Sequence, residues 1–349
     1  MNQTRIRFLK TGPLLIGISV LSACALKTPP DTEALRQQQV PALVGRAAWV
    51  APTPEAVAAV NDGWVAGFND PELNRLVAEA IANNRDLMRA SARVEQSRAL
   101  AVMNGAQLYP SVAAQGVVGD TDTQMLRLGA VWEIDFWGRV RSQARAAKSQ
   151  YESSQSDYRW AEQSLAASVA NSWFSLIEMN RIIERSEQVI AAQEGLLKIA
   201  KQRTKTGISP ETDIEEADSA LRGLRVDLTA MQLARTQAIQ GLEVLLGRYP
   251  ADALRTAQDL PALSPVPVDV PANLLERRPD LVAAEQRVAA AFDLKQSADA
   301  ARLPTISISA AITDISSDVF LINSANSPIS GGSLSFLAPI FSGGYLKAQ

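Results

Sequence analysis

From Arg139 to Thr206 the chain contains no proline and a single glycine, Gly195, and Val169, Leu176, Ile183, Ile190 and Leu197 recur at intervals of seven. A run of this kind favours one continuous α-helix carrying a seam for a second helix. At ~1.5 Å per residue the rod is roughly 100 Å long, several times the width of a small domain. Its partner comes at once. "TKTGISPETDIEEA" reads as a turn: Gly207 suits the position just past a helix end, Pro210 breaks any continuation, and Thr212 or Ser209 can cap the next helix. The return helix carries two seven-residue columns, Ile214, Leu221, Leu228, Arg235 and Leu242 beside Ala217, Leu224, Met231, Ala238 and Leu245, with Arg235 the exception. Residues 139–247 are thus predicted as an antiparallel helical hairpin. It cannot bury both flanks by itself, and it is satisfied by standing beside copies of itself.

Before and after the hairpin the period changes from 3.6 to 2. In "QMLRLGAVWEI" Leu126, Leu128, Ala130, Trp132 and Ile134 share one face; in "PTISISAAI" Ile306, Ile308, Ala310 and Ile312 do so; in "GSLSFLAPI" Leu334, Phe336, Ala338 and Ile340 do so. "VAAQGVV" at 112–118 is a weaker fourth strand. Strands of roughly nine to eleven residues, apolar on one side and small or polar on the other, fit a wall between lipid and a wet lumen, and equally a soluble sheet with one solvated face. Trp132, Phe136 and Trp137 near a strand end suit an interfacial aromatic girdle or a plain core.

The segments around these elements divide the chain. Arg5, Arg7 and Lys10 precede an apolar run, Pro13 to Ala23, too short to span a bilayer, so residues 1–23 read as a signal peptide. Leu21-Ser22-Ala23-Cys24 resembles the lipobox of bacterial lipoproteins; Cys24 is the only cysteine and the predicted lipid attachment site. Ala25 after it, by resemblance to lipoprotein sorting rules, suggests the outer membrane. Residues 24–62 are an extended tether. At "GFNDPELNRLV" Asp70 is a predicted N-cap with Pro71 at the first helical position, opening a helix that runs to about Gln107 and stops before Pro110. Residues 248–273 form a Pro-rich belt.

The chain also repeats. At a fixed offset of 194, Asn83 to Val112 matches the stretch beginning at Arg277 at eight of thirty positions, among them Asp86/Asp280, Leu87/Leu281, Arg93/Arg287 and Pro110/Pro304. At an offset of 206, Leu128 to Gln143 aligns with Leu334 to Gln349 and shares Leu, Ile, Gly and Gln. The fold class expected is mainly α with a β-barrel portion: one long helical hairpin and four transmembrane strands per protomer, in an internal two-fold repeat. Residues 63–247 are the first repeat and 274–349 an incomplete second. The pattern predicts about a hundred further residues, a second hairpin, beyond Gln349 in the complete protein. In the second repeat Arg277 and Arg278 are assigned to setting the start of a short helix, with Asp280 in its first turn.

Chemistry is nearly excluded. There is no histidine, and no nucleophile–base pair, metal cluster or phosphate loop appears, so no catalytic residue, metal or cofactor is expected. Net charge is −3 with both signs interspersed, which implies no nucleic-acid partner.

Taken together, "GFNDPELNRLV", "WEIDFWGRVRS", "TGISPETDIEEA", "LLERRPDLVAAEQRV" and "LPTISI" with "PIFSGG" resemble the TolC-like outer-membrane efflux proteins, in the lipoprotein branch serving tripartite drug exporters. The resemblance runs from about Gly63 to Gln349. It implies a homotrimer whose four strands per copy close a twelve-stranded barrel, a periplasmic adaptor (membrane fusion protein) and an inner-membrane pump as partners, and passive export of small toxic compounds. It implies adaptor contact at the hairpin tip, Gly207, Ile208, Ser209, Pro210 and Asp213, although Gly207 and Pro210 are also what the turn geometry needs. Two departures stand out. The first inter-strand loop, "GDTDTQ", is short, and the acidic residues that narrow the tunnel in this family belong to the second hairpin. A type I protein-secretion duct and a non-conducting coiled-coil envelope lipoprotein are the alternatives.

Overall fold

A computed structural model describes residues 63–119, 124–254, 276–317 and 329–349, together with Asp31, Ala34, Gln37, Gln38, Leu260, Pro261, Ile322 and Asn323. The signal segment, Cys24, most of the tether and most of the Pro-rich belt lie outside the described residues. In chain order the elements are a 3₁₀ turn (Trp64–Phe68), α1 (Pro71–Asn83), α2 (Arg85–Ala106), β1 (Ser111–Val118), β2 (Gln124–Ile134), α3 (Arg139–Lys205), α4 (Thr212–Leu245), α5 (Pro279–Ala300), β3 (Thr305–Ser317), β4 (Ile322–Asn323), β5 (Ile329–Leu337) and α6 (Tyr345–Ala348). They form two compact units: the described residues of 94–155 and 281–349 in one, those of 63–93 and 156–280 in the other.

The second of these holds the apolar core. α3 is one unbroken helix of 67 residues, as its lack of proline requires. Leu73, Leu76, Val77 and Ala80 of α1 meet Val169, Trp173, Leu176 and Ile177 of α3 and Ile239 and Leu242 of α4. Phe68 closes the cluster edge-on to Phe174, with ring centroids 5.0 Å apart. Farther along the hairpin the expected seam continues as Ile190, Leu197 and Leu221, with Ile214, Ala217, Leu224 and Leu228 packed on it. The odd member of the seam, Arg235, is explained by a partner: its Nε donates to Asn180 Oδ1 at 2.5 Å.

Polar groups fix the ends of this unit. Asp70 caps α1 as expected: its Oδ1 accepts the amides of Glu72 and Leu73, both at 3.0 Å. Its other oxygen accepts the indole N–H of Trp173 at 2.7 Å. The helix expected to run unbroken from Pro71 to about Gln107 is instead two helices, divided at Asn84. Asn84 Oδ1 accepts the amides of Asp86 and Leu87, and its Nδ2 donates to the Leu245 carbonyl at 2.9 Å. One side chain therefore starts a new helix and ties it to the end of α4. Next to that tie Glu243, 1% exposed, accepts the amides of Ala251, Asp252 and Ala253 at 2.6, 3.0 and 2.8 Å. Burial opposes its ionisation, but the three amides with Arg248 outweigh burial and hold its pKa below the usual carboxylate value.

In the other unit, β1, β2, β3 and β5 pair antiparallel in that order, and two-residue β4 extends the β5 side of β3. The sequence offsets anticipate the register. Shifting the pair Ser111↔Val131 by 194 and 206 lands on Thr305↔Leu337, the pair observed. β3 runs five residues past the expected Ile312, and β5 spans 329–337 instead of 332–340, because each extra residue gains a ladder partner. Ala338 and Ile340 fall outside the strand. The glycine shared by both repeats has a backbone reason: Gly138 and Gly344 have φ of +77° and +89°, at the corner where a strand chain turns into a helix. α3 begins directly after the first and α6 directly after the second.

The helices of this unit are joined by polar contacts. Ser153 Oγ donates to the Ala283 carbonyl at 3.0 Å, and Arg145 reaches the buried Asp293 of α5 with Nε and a terminal nitrogen at 3.1 and 2.7 Å.

Candidate functional site

Strand alternation and register together sort the sheet into two faces. On one, Leu128 pairs with Ile312; Trp132 pairs with Ile308, which in turn pairs with Leu334; and Ile134 pairs with Ile306, which in turn pairs with Phe336. On the other, Glu133, Ser307 and Ser335 form a row, Val131, Ser309 and Ser333 the next, and Arg127 pairs with Gln115 and Thr313. Ser309 and Ser333 share a hydrogen bond at 2.7 Å. The apolar face is uncovered: Leu334 and Phe336 are 71% and 68% exposed, and β1 and β5 are exposed along their whole length. Among the described residues, those two strands also have no partner along their outer edges. An uncovered apolar face with open edges aggregates in water, whereas lipid solvates the face and another copy satisfies the edges.

Aromatic side chains gather at one end of this sheet. Trp132 and Trp137 direct their indole N–H groups to the carbonyls of Leu108 and Pro304 at 3.0 and 2.6 Å, and Phe136 lies edge-on to Trp137 at 4.9 Å. Trp132 and Phe136 are more than a third exposed, so they are not core residues. Beside them Glu133 is paired with Arg139, and Asp135 with Arg141.

The hairpin tip is a site of a different kind. Gly207, with φ +74°, ends α3: its amide donates to the Thr204 carbonyl, and the amide of Ile208 donates to Arg203, both at 2.9 Å. Neither Thr212 nor Ser209 caps α4. Its first turn is closed by backbone, with Ile214 N–H donating to the Glu211 carbonyl at 3.0 Å. The residue after such a glycine ordinarily packs back on the last helical turn. Here that turn offers Arg203, and Ile208 remains 67% exposed. Ser209 and Asp213 line a groove of about 440 Å³ that they share with Leu196, Ile199, Arg203 and Glu216. Of the five tip residues expected, the structure brings Ser209 and Asp213 into one groove. Gly207, Ile208 and Pro210 are not among the residues that line it. Leu196 and Ile199, each 55% exposed, were missed by sequence reasoning. Their signal was an apolar side chain standing off the seam beside Leu197.

Arg278, expected to serve structure, pairs through two nitrogens with Asp280 and lies 5.9 Å over the Trp160 ring. Among the described residues, no three Cys, Asp or Glu side chains gather as a metal site, and no helix is long and apolar enough to cross a membrane.

The family model described as "Outer membrane efflux protein" matches residues 76–248 and 270–349. The probable efflux pump outer membrane protein TtgC of Pseudomonas putida is 31% identical over 365 aligned positions, covering 96% of this chain and 73% of that protein. The cation efflux system protein CusC of Escherichia coli K12 is 29% identical, covering 83% and 66%. Among solved structures, the outer-membrane channel OprN superposes with a TM-score of 0.78 at 26% identity, over 87% of this chain and 73% of that one.

Proposed function

The chain belongs to the family of outer membrane efflux proteins, and from that premise we propose how it works. It is the outer-membrane channel subunit of a tripartite efflux system, conducting small toxic compounds passively from an inner-membrane pump and its periplasmic adaptor to the exterior. The family is one of ducts, not enzymes. The observation that carries the mechanism is the sheet: four long strands, one apolar face and two open edges. Because neighbours alternate in direction, β5 of one copy and β1 of the next are antiparallel and can pair. Single-chain barrels start at about eight strands, so closure needs further copies, and we assign a homotrimer. The apolar rows then face lipid and the Ser-rich rows line the bore, where side chains that bind weakly let solutes pass. Purified in detergent, the protein should run as a heat-dissociable trimer and give discrete conductance steps in planar bilayers. A monomer that stays dispersed without detergent and conducts nothing refutes the duct.

At the other site we assign adaptor contact to the exposed Ile208 and to Asp213 of the tip groove. Ile208→Asp should abolish cross-linking of the adaptor to the tip and leave the trimer intact. Undiminished cross-linking assigns the tip to turn geometry only.

A further inference from the structure

Arg127 is the one charged residue on the polar face of the described sheet that no other residue answers. Glu133 on the same face is held by Arg139 through two hydrogen bonds, at 3.0 and 2.7 Å. Asp314, one residue beyond the Thr313 partner of Arg127, belongs to the opposite face, where it pairs with Leu126. Among the described residues Arg127 makes no ion pair and no hydrogen bond, and it is exposed.

Its surroundings explain how a free guanidinium is accommodated. The row next to it on the same face is Ala113, Gly129, Ala311 and Gly331, four residues with a methyl group or less. The Arg127 Nε lies 3.8 Å from the point where a Cβ on Gly129 would stand. The side chain thus lies toward Gly129, on the side where nothing rises, while Val117, Met125 and Ile315 form the row on its other side and Ile329 stands in its own row across Thr313. Its guanidinium, a five-donor group, remains exposed. Along the sheet, Arg127 stands three pairs from the β1–β2 connection, at the end away from the helices. Asp314 at that level puts a carboxylate on the apolar face, and Gln124 follows it there one row farther on, which marks the upper limit of the apolar band.

Resting on the reading of the sheet as a wall whose polar face lines a bore, we infer that Arg127, once per copy, forms a cationic collar at the outer mouth. The collar draws in solutes bearing carboxylate, sulfonate or phosphate groups and holds back small cations. A ring of like charges in a narrow aqueous passage raises the local concentration of counter-charge, and low-dielectric walls strengthen the effect. The planar fork suits those oxyanions better than a point charge does, but the field requires only the charge.

The test uses the full chain in the outer membrane of intact cells. Its only native cysteine is Cys24, so a thiol introduced by Gln115→Cys, directly opposite Arg127, reports on the mouth. Two membrane-impermeant methanethiosulfonates of opposite charge, sulfonatoethyl and trimethylammonioethyl, are compared by rate. Arg127→Gln should lower the anionic-to-cationic rate ratio by about three- to tenfold. Arg127→Lys should leave it near the parent value. A thiol from Leu128→Cys, on the apolar face, should react with neither reagent. If Gln115→Cys reacts and the ratio ignores Arg127→Gln, the collar is refuted and the duct stands. If Leu128→Cys reacts and Gln115→Cys does not, the wet face is the other one and both readings fall.

Discussion

Replacing Trp173 with alanine is expected to lower the stability of the helical unit by about 4 kcal/mol, the middle of the range for emptying a large aromatic core site. Trp173 is fully buried and sits among Leu73, Leu76, Leu176 and Leu242. Its loss also strands one oxygen of Asp70, whose other oxygen caps α1. The two contributions separate by a double-mutant cycle. Trp173→Phe keeps most of the bulk and removes the indole donor, and Asp70→Ala removes the acceptor and the cap. A coupling of about 1–1.5 kcal/mol between them is expected, measured from urea midpoints followed by the helical circular-dichroism signal in detergent. Independent, additive losses would show the indole–carboxylate bond to be idle. The motif "FNDPEL" then has a physical account: the Asp starts a helix while binding the core tryptophan, and the Pro fits the first turn.

The second large effect is an asymmetry. Asp293 is 2% exposed, whereas its partner Arg145 keeps 38% of its side-chain surface. Arg145→Ala leaves a carboxylate buried without its cation and should destabilise by roughly 3 kcal/mol, at the low end for a broken buried pair because water already reaches the guanidinium. Asp293→Ala should cost about 1 kcal/mol, since the freed arginine can turn its head to solvent. The double replacement Arg145→Met with Asp293→Leu should recover most of the loss. Thermal melting of the three variants decides the matter. Equal losses from the two single alanine variants would contradict the burial argument. The pair joins α3 of the first repeat to α5 of the second, so it also holds the repeats in register within that unit.

What sequence reasoning read correctly is what local chemistry repeats. A seven-residue column writes the face of a helix at every turn, and a two-residue alternation writes the face of a strand at every step. α3, α4, the strand faces and the turn at Gly207 were therefore legible, and the two repeat offsets carried even the register of the second β-hairpin. The same reasoning predicted one helix where Asn84 divides two. It also found Arg235 anomalous without finding Asn180, and it offered Thr212 or Ser209 as a cap where the backbone needs neither.

The bonds it missed share a cause. Asp70 meets Trp173 across 103 positions, Arg145 meets Asp293 across 148, and Asn84 meets Leu245 across 161. A buried polar group must be satisfied, but nothing in its own neighbourhood names the group that satisfies it. The order of strands had the same freedom, because two hairpins with identical faces can join along either edge, and only folding brings β2 against β3. The sequence by itself determined periods, faces and repeats, since these arise from neighbours along the chain. The tertiary structure alone decided which distant polar atoms meet and which edges stay open, since those depend on where the chain returns in space.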